Sequence, residues 1–202
     1  MLSKAQSKEL HNEAIHITRE KLTALQRGML LWAVTDPGDK VLEMDVQNGA
    51  MLNHLRMERE CEVCGVSDSM EAVRVARTEV QNADILYALA QDIPWHDASI
   101  DTVFLRREAR REAVEPMMMQ EILRVLKPGG QLVMGALAYP TPVRQLLNLV
   151  STEEDGLRSE RYSSAQRHRE ALEKYGFCQI SWHQIDLRNG VAIAWKPNWE
   201  NE

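Results

Sequence analysis

Residues 121–134 read Glu121-Ile122-Leu123-Arg124-Val125-Leu126-Lys127-Pro128-Gly129-Gly130-Gln131-Leu132-Val133-Met134. Apolar residues recur at helical spacing as far as Leu126, which predicts a helix over residues 112–126. Pro128 ends this helix because its ring removes a backbone donor, and Gly129-Gly130 supply the positive φ angles of a turn. A strand over residues 131–136 follows directly. The segment therefore predicts a helix, a tight turn and a strand in succession.

Strands and helices alternate on both sides of this segment. Such alternation predicts an α/β fold with a seven-stranded, mostly parallel sheet that helices cover on both faces. The turn Arg188-Asn189-Gly190 carries an Asn-Gly hairpin signal, so we expect a C-terminal antiparallel hairpin. The strands are predicted at residues 40–46, 62–66, 83–88, 100–105, 131–136, 178–186 and 191–195, and the other helices at residues 3–33, 49–58, 69–80, 141–150 and 164–174.

The composition is that of an ordinary globular protein. The chain has 202 residues, of which 44% are hydrophobic and 27% charged, and this predicts one domain with a sizeable core. Within it we distinguish N-terminal helices (1–35), a nucleotide-binding-type core (40–136) and a C-terminal part (137–202). The net charge of −6 argues against nucleic acid as the main partner. The chain has no long apolar run and no signal-peptide pattern, so we expect a cytoplasmic protein without a membrane partner.

The cysteines and histidines predict no metal site. Cys61 and Cys64 form a single CxxC pair, and residues three apart in an extended segment point to opposite faces. The chain has no second cysteine pair, and its histidines show no ligand spacing, so we do not expect zinc. Cys61, Cys64 and Cys178 are predicted to be buried free thiols.

The region from residue 40 to residue 133 resembles the class I S-adenosylmethionine (SAM)-dependent methyltransferases, of the type 11-like group. Two segments carry the resemblance. One is the Lys127-Pro128-Gly129-Gly130 turn with its flanking helix and strand, and the other runs from Ile93-Pro94-Trp95 to Ser99-Ile100-Asp101-Thr102-Val103. The resemblance implies a Rossmann-like fold, SAM as the cofactor and methyl transfer to a small molecule. Asp101 is expected to anchor the loop that enters the fourth strand.

The first candidate cofactor segment is the end of the first strand and the turn after it. In the family, an acid near the strand end precedes three alternating glycines, which let the backbone approach the methionine part of SAM. Glu43 matches the acid and Gly49 the last glycine, whereas Asp45 and Gln47 replace the first two. Asp45 would also bring a negative charge towards the carboxylate of the cofactor, which is unfavourable.

Two further cofactor segments also depart from the family pattern. Ser67 occupies the position of the acid that accepts both ribose hydroxyls, and Asp68 follows it. Asp68 either replaces that acid through a re-routed loop or is a solvated residue at a helix start. Leu89 occupies the position of the Asp that accepts from the adenine amino group, and the amide of Ala90 can still bond to the ring. Leu105, at the end of the fourth strand, is the last cofactor candidate.

The substrate candidates follow the later strands. The segment Arg106-Arg107-Glu108-Ala109-Arg110-Arg111-Glu112 either receives an anionic substrate or is a solvated helix start whose arginines pair with Glu108 and Glu112. His96 is the best acid–base candidate because its loop should face the site, and Tyr139 is a further substrate candidate. No catalytic base is identified.

Two hypotheses on function remain open. The first is a SAM-dependent methyltransferase that acts on a small molecule. The second is a non-catalytic, methyltransferase-like binding or scaffold subunit that has lost SAM binding. The departures at Asp45, Gln47, Ser67 and Leu89 predict weak or lost SAM binding. A nicotinamide cofactor is disfavoured because no G-x-G-x-x-G follows the first strand.

Overall fold

The structure is a computed structural model that describes residues 22–106, 116–137 and 165–198. Its described helices are α1 (Ala24–Trp32), α2 (Ala50–Glu58), α3 (Met70–Glu79), α4 (Pro116–Val125) and α5 (Ala165–Lys174). Its described strands are β1 (Lys40–Met44), β2 (Glu62–Ser67), β3 (Asp84–Tyr87), β4 (Ile100–Arg106), β5 (Leu126–Leu137), β6 (Cys178–Gln184) and β7 (Asn189–Trp195). The helices predicted at residues 3–21 and 141–150 lie outside the described residues.

The strands form one seven-stranded sheet in the order β3-β2-β1-β4-β5-β7-β6. The first five are parallel, and β7 runs antiparallel to both β5 and β6. The predicted fold class and the central position of residues 41–44 are therefore confirmed. The strand order reverses between β1 and β4, and ligands of open α/β sheets bind beside such a reversal, at the carboxyl ends of the strands.

Alternate strand residues build two hydrophobic clusters, one on each face of the sheet. Val41 and Phe104 belong to the cluster that α1, α2 and α3 cover, and Leu42 and Val103 to the one that α4 and α5 cover. Side chains alternate between the faces of a strand, so the central strands β1 and β4 are buried on both sides, whereas the edge strand β3 is only partly buried. Cys61 and Cys64 fall in opposite clusters, and both are buried free thiols, whereas Cys178 is half-buried.

The tight turn predicted at residues 127–130 is replaced by the first part of β5, which begins directly after α4 at Leu126, and its two glycines are needed there for different reasons. Gly129 has a φ of +72°, as predicted. The prediction was wrong for Gly130, whose φ is not positive. There a Cβ atom would lie 2.9 Å from the carbonyl oxygen of Lys127 and 3.0 Å from that of Asp101. Close backbone approach, and not turn conformation, therefore requires glycine at position 130.

Local capping sets the ends of several helices. Ser69 is the N-cap of α3, and its hydroxyl accepts from the amide of Ala72 at 3.3 Å, as predicted. Gly176, at φ +92°, follows α5 as the predicted C-cap. α1 begins with a capping box between Thr23 and Gln26. Within the described ranges, no helix combines the length and apolar character that crossing a membrane requires.

Candidate functional site

The candidate residues after the parallel strands lie at one edge of the sheet. Met44 at the end of β1 pairs in register with Val66 and Leu105, and Ser67 pairs with Tyr87. The carboxyl ends of β1 to β4 therefore stand side by side. The candidates Arg107 and Tyr139 lie outside the described residues.

The turn after β1 has positive φ angles at two positions where the family pattern has glycine, although only one of the two is a glycine in this chain. Asp45 has a φ of +57° and Gly49 a φ of +71°, both in the left-handed region. Asp and Asn are the non-glycine residues that accept this region most readily. Gln47 is exposed and does not have a positive φ. Two of the three glycine positions of the family pattern thus retain a glycine-like backbone.

Gly49 is also required by packing. It is the N-cap of α2, and a Cβ atom there would lie 2.7 Å from a Val80 methyl group and 3.2 Å from the carbonyl oxygen of Ala76. The turn is held from both sides, because the amide of Val46 donates to the carbonyl of Val66 at 2.9 Å. The side chain of Asn48 accepts from the amide of Ala50 at 3.2 Å.

Glu43 is a buried carboxyl group at this edge. Its side chain lies in β1 with only 6% of the residue exposed, and its Oε2 atom accepts no hydrogen bond from any described residue. Burial raises the pKa of Glu43 to about 8, although the positive charge of Arg106 lowers it and the negative charge of Asp45 adds to the rise. Glu43 is therefore mostly protonated at neutral pH.

Arg106 and Glu43 lie on the same face of the sheet. Glu43 pairs in register with Phe104, and Arg106 lies two residues further along β4. Arg106 was predicted to contact a substrate, and its proximity to Glu43 was not predicted because the two residues are 63 positions apart. Leu105 lies on the opposite face, buried in the cluster that α4 and α5 cover.

At the end of β2, the hydroxyl of Ser67 is turned towards the backbone of its own loop. Ser67 is buried, and its Oγ accepts from the amide of Ser69 at 3.2 Å. Its carbonyl oxygen accepts from the amide of Ala88 at 3.1 Å, which joins this loop to the end of β3. Asp68 is exposed and directly precedes the N-cap of α3.

The segment after β3 exposes apolar side chains. Leu89 is 54% exposed, and Ala90 is half-buried beside the α4 and α5 cluster. Tyr87, the last residue of β3, is 53% exposed at the same edge. Tyr87 was not among the predicted site residues, although an aromatic residue near the predicted end of a parallel strand is a sequence signal for it.

The loop after Ala90 is anchored by α4. The Glu121 carboxylate accepts from the amide of Ile93 at 2.9 Å, and Arg124 donates to the carbonyls of Ile93 and Trp95, each at 2.8 Å. Arg124 also pairs with Glu121 and with Asp97, each at 2.7 Å. The hydrogen bond from Arg124 holds the pKa of the Glu121 carboxyl below its ordinary value. The sequence analysis did not identify this network.

His96 lies in the part of the loop that returns to the amino end of β4. The next two amides, of Ala98 and Ser99, donate to the carbonyls of Arg124 and Val125 at the C-terminal end of α4. The His96 side chain is exposed there. Nothing in the described geometry joins it to the carboxyl edge.

Asp101 connects three strands at the amino edge of the sheet. Its carboxylate accepts from the backbone amide of Lys40 at 2.9 Å and from the Lys127 ammonium at 2.7 Å. These bonds tie β4 to the beginnings of β1 and β5. Asp101 therefore fixes the start of β4 between its two neighbouring strands, and its predicted role as an anchor of the preceding loop stays a prediction.

Comparison with known proteins agrees with this architecture. Residues 42–134 match the family model described as a methyltransferase domain. The 27-O-demethylrifamycin SV methyltransferase of Amycolatopsis mediterranei is 30% identical over 112 residues, which are 52% of this chain and 41% of that protein. The ubiquinone/menaquinone biosynthesis C-methyltransferase of Shewanella frigidimarina is 30% identical over 128 residues, 58% of this chain and 49% of that protein. The chain thus spans about half the length of the curated relatives that it matches.

Solved structures share the fold at low sequence identity. A methyltransferase in complex with the Haloferax volcanii Trm112 activator matches with a TM-score of 0.71 and 18% identity, over 91% of this chain and 92% of that chain. The [4+2]-cyclase SpnF matches at 0.67 and 17%, over 86% and 80%. The Haemonchus contortus phosphoethanolamine N-methyltransferase 2, solved with SAM, matches at 0.65 and 15%, over 86% and 52%.

Proposed function

We propose that this chain is a class I SAM-dependent methyltransferase, which binds SAM at the carboxyl edge of its sheet and methylates a small molecule. The observation that carries the proposal is the turn after β1. Asp45 and Gly49 keep the left-handed backbone there, although the glycine pattern of the sequence is incomplete. A small-molecule acceptor is supported by relatives whose names refer to demethylrifamycin SV and to ubiquinone or menaquinone.

The described residues fit a SAM site in part. The buried, unpartnered oxygen of Glu43 and the turn that ends at Gly49 would hold the methionine tail. Asp68 is the exposed acid nearest the ribose position, and the backbone of Ala90 is the group left to bond to the adenine ring. Leu89 presents no acceptor there, so we expect weak binding. When bound, SAM supplies an electrophilic methyl group, and the protein contributes mainly the positioning of the acceptor.

The acceptor would approach beside Arg106, where β4 ends next to β1. Arg106 is half-buried, and its positive charge lowers the pKa of the nearby Glu43 carboxyl group. An anionic acceptor would therefore meet a guanidinium whose charge is not balanced by Glu43, because that acid is mostly protonated at neutral pH. A cytoplasmic location, a single domain and the absence of a nucleic-acid partner stay predictions from the sequence.

A non-catalytic role is the second candidate. It is favoured by Leu89, whose exposed apolar side chain stands where the family has a hydrogen-bonding acid. The fold alone does not decide between the two roles, because it also occurs in the cyclase SpnF. Under this alternative, the carboxyl edge would bind a ligand or a partner without methyl transfer.

Calorimetric titration with SAM and with its demethylated product tests the proposal. We expect saturable binding that weakens when Asp68 is replaced by Ala. The matched control is Asp84→Ala, which removes an exposed acid from the amino end of β3. Transfer of a labelled methyl group to a panel of small-molecule acceptors should follow. If neither compound binds at about 1 mM, a level that corresponds to about 4 kcal/mol of binding free energy, the non-catalytic role replaces the proposal.

A further inference from the structure

Two acidic residues lie near each other at the carboxyl end of the central strand, and the charge of Asp45 acts on Glu43. Glu43 is the buried acidic residue of β1, and Asp45, directly after the strand, is half-buried. The Oε2 atom of Glu43 is buried without a donor among the described residues. Buried carboxyl oxygens are normally hydrogen-bonded, so an unpartnered one at a ligand-binding edge points to a donor that comes from a ligand.

The charged groups near Glu43 do not outweigh the effect of its burial, so a cationic ligand would lower its pKa further. Arg106 of β4 and Asp45 are the described charged groups that act on it, and β2 places the uncharged Gly65 beside it. Arg106 lowers the pKa of Glu43, yet this pKa stays near 8 because burial outweighs the single guanidinium. A second positive charge would drive the proton from Glu43 and gain an ion pair in a water-poor site.

We propose that Glu43 and Asp45 form an ammonium subsite that excludes a carboxylate, so that this chain binds an adenosyl sulfonium with a carboxylate-free amino tail in preference to SAM. The inference rests on the proposed function and specifies the form of its cofactor. The tail of SAM carries an ammonium and a carboxylate on the same carbon atom. The ammonium gains from both acids, whereas the carboxylate is repelled by Asp45.

The size of the preference follows from one Coulomb term. Two like charges about 6 Å apart, at the effective dielectric constant of about 20 that suits partly buried sites, repel strongly enough to change affinity about a hundredfold. Arg106 attracts the same carboxylate and cancels part of this repulsion. We therefore expect decarboxylated SAM to bind about tenfold more tightly than SAM.

The test compares three ligands by calorimetry: SAM, decarboxylated SAM and methylthioadenosine, which has no charged tail. In the native sequence, decarboxylated SAM should bind most tightly. Asp45→Asn should abolish the preference over SAM. Asparagine accepts the left-handed backbone as readily as aspartate, so this variant should fold. The control Asp84→Asn removes a negative charge at the opposite edge and should leave the preference unchanged.

A second readout does not depend on affinity. Titration of decarboxylated SAM at pH 7 in buffers of different ionisation enthalpy should show release of up to about one proton, because the ammonium lowers the pKa of Glu43. Glu43→Gln should bind without this release. Glutamine keeps the shape of the side chain and has no proton to lose, so the difference isolates the carboxyl group.

The outcomes separate the inference from the proposed function. If SAM binds as tightly as its decarboxylated form, the inference is overturned and the proposed function stands. If the preference is found but persists in Asp45→Asn, Asp45 is not its source and the inference is again overturned. If none of the three adenosyl compounds binds, both proposals fall.

Discussion

Replacing Glu43 with glutamine should stabilise the protein, and more so as the pH rises. In the folded chain the carboxyl group is buried and keeps its proton up to about pH 8, against an ordinary pKa of 4.5. The unfolded chain loses that proton near the ordinary value. Folding at neutral pH therefore requires either a proton from solution or a buried negative charge, and glutamine requires neither.

The sign and size follow from proton linkage. Between pH 4.5 and about 8 the folded state holds one more proton than the unfolded state, so the free energy of unfolding falls as the pH rises. The fall is about 1.4 kcal/mol per pH unit, or about 5 kcal/mol over the whole window. At pH 7, Glu43→Gln should therefore gain about 3 kcal/mol over the native sequence, a rise of about 10 °C in Tm for a chain of this size. At pH 4.5 the two proteins should be nearly equal.

Urea unfolding, followed by tryptophan fluorescence at half-unit steps from pH 4.5 to 8.5, measures this difference directly. The control is Glu173→Gln, which removes an exposed carboxylate near the end of α5. Subtracting the control from the Glu43 variant removes the general effect of net charge. If the profiles of Glu43→Gln and of the native sequence run parallel, Glu43 ionises normally in the fold and the argument from its burial is wrong.

Substitutions at Arg124, Asp45 and Gly190 also test the structure. Arg124→Met should lower the free energy of unfolding by about 2–3 kcal/mol, since it removes the cation that pairs with Glu121 and the donor to two loop carbonyls. Amide exchange at Ile93 should then accelerate, and unchanged exchange would contradict the anchoring role. Asp45→Ala should cost about 1 kcal/mol and Asp45→Asn almost nothing, because alanine resists a φ of +57°; equal Tm values would refute the left-handed turn. Gly190→Ala should cost about 1–3 kcal/mol, because its Cβ atom would overlap the Trp182 ring. Trp182→Leu in the same chain should restore part of the lost Tm, and no recovery would point to another cause.

Much of the fold could be predicted because its signals are local. The apolar spacing before Leu126, the proline at position 128 and the Asn-Gly turn at position 189 each act within a few residues. Such signals predicted the seven strands and the antiparallel end, which the structure confirms. They were less accurate for the ends of elements. β1 stops at Met44, and not at residue 46, because Asp45 turns the backbone into the left-handed region.

The candidate site was predicted less completely, because its residues interact across the sheet. Ser67 stood at a family position, but its hydroxyl bonds to the backbone of its own loop. The loop that carries His96 was expected to face the site, whereas its C-terminal part is fastened to the end of α4. The position of the His96 loop does not follow from residue spacing, since it depends on a contact with the distant helix α4. The Ser67 bond is local, but a match to a family position does not show which partner the hydroxyl takes.

The sequence by itself determined which segments form strands and helices, how many strands the sheet has and where its carboxyl edge lies. These properties follow from periodicity and turn chemistry, which short stretches of chain contain. Only the tertiary structure decided the protonation of Glu43. That property depends on desolvation and on the charge of Arg106, which β4 brings to the same face of the sheet from 63 residues away. Electrostatic energies depend on distance in space and on exclusion of water, and neither can be read from order along the chain.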